Sequence, residues 1–158
     1  MVNLSNFDVM ENQPVNVIDH EAYAGKWYSL YSIPTLFDKN WKQTIEYYTL
    51  IDDEHFEVLT TYHKDGKEEE RSVKSKLFFS EDKPDGEMKA QFLWPFKAGY
   101  WVIELADDYS YVVVGHPDQK YLFIMAREPK MDPVLLKEII ERCRQMGYDV
   151  GSLVSQEH

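Results

Sequence analysis

From Gly25 to Arg127 the chain is a succession of short β-branched and aromatic runs cut by turn signals every 8 to 15 residues. That pattern is the signature of an all-β sandwich or barrel. About eight strands are expected, over 26–33, 43–51, 55–63, 69–79, 87–94, 99–105, 109–115 and 120–127. Asp52-Asp53, Asp65-Gly66, Asp85-Gly86 and Asp107-Asp108 stand at joints between them. Aspartate before glycine supplies the positive-φ positions of a tight hairpin, so consecutive strands are expected to be antiparallel neighbours in a meander. The longest joint, 34–42, follows the first strand. With 158 residues, two domains would be cramped, and 11 Tyr, 8 Phe and 4 Trp favour strands and need one packed interior.

Residues 1–19 show no sustained period and read as an arm laid on the surface or left loose. The domain proper is expected over 20–153, with 154–158 as a tail. After Pro129 the period becomes helical, over about 132–146. Asp132 suits the cap, Pro133 the first helical position and Gly147 the stop. Leu135, Leu136, Ile139, Ile140, Cys143 and Met146 form one stripe, opposite Lys137, Glu138, Glu141, Arg142 and Arg144. Its dock is expected on strands seven and eight, where Tyr111 to Val114 and Tyr121 to Met125 lack alternation and so read as buried on both faces. Lys74, Lys76, Lys89 and Gln91 alternate with smaller or apolar residues, which describes sheet with water outside.

Twenty-eight acidic against 17 basic residues give a net charge of -11 and a pI near 4.8. Such a chain repels phosphate backbones and anionic headgroups, so nucleic acid is excluded as a partner. No apolar run approaches the roughly 20 residues that span a bilayer. The first 20 residues lack the basic start and apolar run of a signal peptide. Cys143 is the one cysteine, which excludes an intrachain disulfide and leaves the redox compartment open. Catalytic constellations are missing: there is no Gly-x-Ser-x-Gly elbow, His-Glu-x-x-His, phosphate-cradling glycine loop or dinucleotide fingerprint. Cys143 reads as a small buried residue of the helix stripe rather than a nucleophile. His20, His55, His63, His116 and His158 share no metal-ligand spacing, and Glu68-Glu69-Glu70 reads as a solvated edge. The expectation is a protein without metal, cofactor or turnover.

Gly25, Lys26 and Trp27 open the first strand as a Gly-x-Trp motif, and Arg127 ends the last. Asp108 and Tyr109 stand between strands six and seven, with Asp107 before them. In this order the residues resemble the lipocalin family, whose second motif reads Thr-Asp-Tyr, so that Asp107 in place of Thr is a mild departure. Trp94-Pro95-Phe96, Gly99-Tyr100, Gly115, Pro117, Tyr121-Leu122, Arg127-Glu128-Pro129 and Gly147-Tyr148-Asp149-Val150 are similar to the bacterial branch, near apolipoprotein D and the plant temperature-induced lipocalins. The resemblance covers about residues 15–153. It implies an eight-stranded antiparallel up-and-down barrel with one carboxy-terminal helix packed outside. The implied role is sequestration or transport of a small hydrophobic molecule, a fatty acid or lysophospholipid. Bacterial relatives are often outer-membrane lipoproteins lipidated on an amino-terminal cysteine. Residues 1–20 hold none, so either an export signal has been removed and the site is the cell envelope, or this member is cytosolic.

In such a barrel the start of strand one and the end of strand eight meet at one end. Trp27 and Arg127 should therefore stack as a structural floor, a cation-π contact worth about 0.5–2 kcal/mol. The opposite mouth is expected to be ringed by residues 34–42 and by turns near 65–66, 94–98 and 116–119. Eight strands enclose either a side-chain core or one small ligand. Alternation aims Tyr31, Tyr48, Val58, Thr60, Leu77, Met88, Ala90, Phe92, Tyr100, Val102, Phe123 and Met125 inward, with Val112 and Val114 less firmly assigned. Thr, Ala and Val among aromatics leave room, so a ligand cavity is expected over a packed aromatic core. The hydroxyls of Tyr31, Tyr48 and Tyr100 need partners, either a ligand's polar end near the mouth or water. Glu46 shares the inward face, and a carboxylate there is costly unless it is paired, by Arg71 for instance, or lies near the wet mouth. Leu36, Phe37, Trp41, Trp94 and Phe96 form an apolar rim that reads as a lid, an access gate or a homodimer patch. Two other readings stand beside ligand carriage: an enzyme of this fold acting on a lipophilic substrate, and a filled barrel serving as a protein-interaction module.

Overall fold

A sheet becomes a barrel only when its first strand finds a partner on both edges. A computed structural model describes residues 9–93 and 95–158. Its strands are β1 (Gly25–Ile33), β2 (Trp41–Leu50), β3 (His55–Lys64), β4 (Glu70–Phe78), β5 (Glu87–Leu93), β6 (Phe96–Leu105), β7 (Tyr111–Gly115), β8 (Leu122–Ala126) and the short β9 (Val154–Ser155). Each of the first seven pairs antiparallel with the next, and β1 pairs with both β8 and β2, which closes an up-and-down barrel. The expected strand order holds. Strand six begins three residues earlier than expected because Leu93 already pairs with Phe96. Trp94, expected on the rim, lies outside the described residues.

Gly66 adopts the expected left-handed φ of 75°, but Gly86 is required for a different reason. A Cβ at Gly86 would stand 2.8 Å from the backbone N and O of Val15 and from the Val102 carbonyl. That close approach lets the arm dock: the Val15 N–H donates to Val102 (2.8 Å), the Gly86 N–H to Val15 (2.9 Å) and the Ile18 N–H to the Asp85 carboxylate (2.9 Å). The arm leads into the single-turn helix α1 (His20–Tyr23), capped by the Asp19 side chain.

One irregularity redirects side chains. Between Ser29 and Tyr31 the pairing of β1 with β8 slips by one residue, a β-bulge. Alternation is reset there, because every residue beyond an inserted one exchanges faces. Trp27 faces the barrel interior, while Ser29 and Ser32 both line the cavity described below. Tyr31 and Ile33 instead pack outside against the helix layer, so the expected inward placement of Tyr31 is corrected.

Helix α2 (Pro133–Gln145) starts at Asp132, which accepts from the Val134 N–H, and stops at Gly147, whose φ is 93°. Its buried residues Ile139 and Cys143 join Met146 and Tyr148 against Ile103, Val113, Leu122 and Ile124 of β6 to β8. Arg142 fixes the helix by a two-pronged ion pair to Glu104, at 2.7 and 2.8 Å. At the barrel's closed end the Arg127 guanidinium lies 3.7 Å from the Trp27 ring centroid. It donates to the carbonyls of Lys26 (2.8 Å), Ala22 (2.8 Å), Tyr23 (3.3 Å) and Tyr109 (3.3 Å). Gly25, with a φ of 102°, leaves room beside that guanidinium, and the Asp108 side chain holds the β6–β7 turn by accepting from the Ser110 N–H.

Two variants test this framework by thermal and urea melts. Arg127→Ala is expected to cost about 1–3 kcal/mol through its unpaired carbonyls, with ligand selectivity unchanged. Ile139→Asp places a charge in the helix dock and is expected to cost several kcal/mol or prevent folding. A wild-type melt for either variant would remove the role assigned to its residue.

Candidate functional site

The interior is packed in its lower half and open in its upper half. Trp27, Phe56, Val58, Leu77, Met88, Val102 and Val112 fill the end above Arg127. Tyr23 of α1 inserts among them, its ring centroid 5.4 Å from Trp27 and 5.8 Å from Phe56. Above that layer lies a cavity of about 390 Å3, within the range that holds one small molecule.

The two sides of the cup differ in chemistry. One wall is apolar: Ala90 and Phe92 of β5, Ala98 of β6, Val114 of β7, and Phe123 and Met125 of β8. The facing wall carries Ser29 and Ser32 of β1, Thr44 and Glu46 of β2, and Thr60 of β3. It is completed by Gln156, beyond β9. The hydrogen-bonded pairing of β1 with β2 stops at Tyr28 and Ile45, and above it β9 pairs with Tyr31 and Ser32 instead. Gln156 then closes the seam. Its N–H donates to the Leu30 carbonyl (2.9 Å), its amide to Ser32 Oγ (2.8 Å), and its side-chain oxygen accepts from Thr44 Oγ1 (2.7 Å). The segment expected to be a tail is thus part of the cup wall.

Glu46 sits at the base of the polar wall, and its hydrogen bonds form a chain with one direction. Tyr48 Oη donates to Glu46 Oε2. A phenol has one proton to give, so the 2.9 Å contact between Tyr48 and Tyr100 is donated by Tyr100, and the 2.5 Å contact between Tyr100 and Tyr23 by Tyr23. Three hydroxyls therefore point their protons toward one carboxylate. No basic side chain pairs with Glu46 among the described residues, and Arg71, the shield considered from the sequence, is exposed opposite Tyr62. Burial pushes the Glu46 carboxyl up to about 7, helped by the charge of Asp38 and opposed by the Tyr48 hydrogen bond. Burial likewise raises the Tyr23, Tyr48 and Tyr100 phenols, so all three stay neutral at ordinary pH. Asp38 itself accepts from the Thr35 N–H (2.7 Å) and hydroxyl (2.8 Å) at the mouth.

A family model described as a lipocalin-like domain matches residues 18–158. The chain belongs to the lipocalin-like family. This lipocalin is 29% identical over 143 residues to the outer membrane lipoprotein Blc of Vibrio cholerae, covering 90% of this chain and 84% of that one. It is 29% identical over 152 residues to temperature-induced lipocalin-1 of Arabidopsis thaliana, covering 90% and 81%. Among solved structures, insecticyanin of the tobacco hornworm superposes with a TM-score of 0.75 at 18% identity, over 95% of this chain and 86% of that one.

Of the residues expected to line the lipocalin's cup, Thr60, Ala90, Phe92, Tyr100, Phe123 and Met125 do so. Tyr48 reaches the base through its hydroxyl. Val58, Leu77, Met88 and Val102 belong to the packed layer beneath, and Tyr31 lies outside the barrel. Sequence reasoning missed Ser29, Ser32 and Gln156. Nothing local marks the bulge or the returning tail, although Thr44 and Glu46 were legible from their alternation with Tyr48. On the rim, Trp41 is buried against Tyr62 with ring centroids 3.6 Å apart, whereas Phe37 and Phe96 stay exposed.

The raised carboxyl predicts a pH signature of stability. A group whose folded pKa exceeds its unfolded value binds more protons when folded, so its contribution is complete below about 4.5 and is lost as pH rises through about 7. Wild type should therefore weaken relative to Glu46→Gln across that window, by up to a few kcal/mol, and run parallel to it above pH 8. Paired melts at pH 4.5, 6, 7 and 8.5 measure the difference.

Proposed function

We propose that this lipocalin sequesters or carries one single-chain amphiphile in the upper half of its barrel, without turning it over. The observation that carries the reading is the open cavity of about 390 Å3 above a closed floor, with an apolar wall on one side. Fatty acids and lysophospholipids are the ligands proposed first, since each offers one flexible chain to that wall. The exposed rim supports the same reading. Leu36 is 92% exposed, Leu93 and Phe96 71% each and Phe37 59%, giving a chain an apolar path across the mouth. An apolar rim of this kind also favours pairing of two copies mouth to mouth, which sedimentation against protein concentration tests. The cell envelope is the compartment proposed, on the strength of relatives named outer membrane lipoproteins. Fractionation of the native host checks it.

Each methylene moved from water into the cup is worth about 0.8 kcal/mol. Affinity for a fatty-acid or alcohol series titrated into delipidated protein should therefore climb with chain length and level off once the cavity is full. Ala90→Trp fills the cavity from the apolar wall and is expected to abolish binding while the barrel still melts cooperatively. Val58 is unsuitable for that purpose because it is already packed in the floor layer. Binding that ignores both chain length and Ala90→Trp would leave the protein-interaction module as the better account.

A further inference from the structure

The polar groups of the cup are gathered mainly at its base and along one wall, while its rim is apolar apart from Thr35 and Asp38. An amphiphile with its head in the mouth would leave Glu46 Oε1, which has no partner among the described residues, facing the end of a hydrocarbon chain. It would also set its head among Phe37, Leu93 and Phe96. Buried polar atoms without partners are costly, and the opposite orientation avoids that cost.

Resting on the reading that the cup holds a single-chain amphiphile, we propose that Glu46 makes the base of the cup a receptor for an ammonium head, with the chain running up to the rim. Three observations carry this. Glu46 Oε2 is taken by Tyr48, whereas Oε1 has no hydrogen-bond partner among the described residues and is free to accept from the cavity. The Tyr23, Tyr100 and Tyr48 hydroxyls are oriented toward the carboxylate, so they support its charge and offer the cavity no further proton. The charges lining the cup are also unbalanced, with Asp38 and Glu46 against Lys97 alone. The Lys97 ammonium is engaged elsewhere, 4.0 Å over the Phe78 ring. A carboxylate head at the base would meet Glu46 at close range with no cation to separate them, so a fatty acid is held by its chain alone and less tightly than an amine of equal length. An ammonium supplies the missing donor and charge together, and the net charge of -11 attracts it from a distance.

The test compares three ligands of one chain length, dodecylamine, dodecanol and dodecanoate, at pH 8 and below their micellar concentrations. Each displaces the neutral fluorescent probe N-phenyl-1-naphthylamine from delipidated protein. At pH 8 Glu46, whose carboxyl burial pushes up to about 7, is largely ionised, and the Tyr23, Tyr48 and Tyr100 phenols, which burial raises, remain neutral. Dodecylamine is expected to bind at least about tenfold tighter than dodecanoate, with dodecanol between them. In Glu46→Gln, which keeps an acceptor for Tyr48, that preference should collapse to within about threefold, each affinity being taken relative to that of the probe for the same variant. Equal or tighter binding of dodecanoate by wild type overturns the inference. So does an amine preference that survives in Glu46→Gln, because net charge alone would then explain it. Failure of the probe and all three ligands to bind overturns the carrier reading itself.

Discussion

Arg127 lies flat on the Trp27 indole while its nitrogens reach carbonyls of Ala22, Tyr23, Lys26 and Tyr109. One side chain thereby ties the end of β8 to the start of β1, to α1 and to the β6–β7 turn. Closure of the barrel, the seat of Tyr23 and the base of the cup all follow from that tie. Trp27 also donates its indole N–H to the Tyr23 carbonyl at 2.9 Å, which sets the height at which the Tyr23 phenol meets Tyr100. The structural floor and the polarity of the site are therefore one connected arrangement.

The second constraint is the seam between β1 and β2. Two strands that diverge above Tyr28 would leave a slit in the wall, and backbone groups along it would lack partners. β9 and Gln156 supply those partners from the other end of the described chain. Because the seal is made by an amide and two hydroxyls rather than by apolar side chains, this wall is polar where the opposite wall is not. The asymmetry of the cup is a consequence of how the barrel is closed as much as of which residues alternate.

Most of the architecture was legible in the sequence. Turn residues delimited the strands, the switch of period marked α2, and the positions of Trp27 and Arg127 required their contact. The cup was less legible, for identifiable reasons. A bulge at Leu30 changes the face of Tyr31 through one extra residue, and no residue type in that stretch announces it. Val58 and Leu77 point inward as alternation demands, but alternation says nothing about height along the barrel axis, and height separates the packed floor from the open cup. Gln156 lies more than 120 residues from Ser32, its hydrogen-bond partner, and no periodic pattern links them. Glu46 was visible as an inward carboxylate; its tyrosine chain was not, because Tyr23 comes from a helix of one turn that precedes the first strand.

The separation of a packed lower half from a hollow upper half has an evolutionary consequence. Residues such as Phe56, Leu77 and Val102 are held by close packing, where a change of one methylene is felt by every neighbour. Residues such as Ala90, Ala98 and Phe123 border empty space, and replacing them alters the shape of a void rather than the fit of a core. Lineages descended from such a barrel can therefore exchange one cargo for another by drift along the upper wall. The lower layer meanwhile preserves the scaffold that makes each new cup possible.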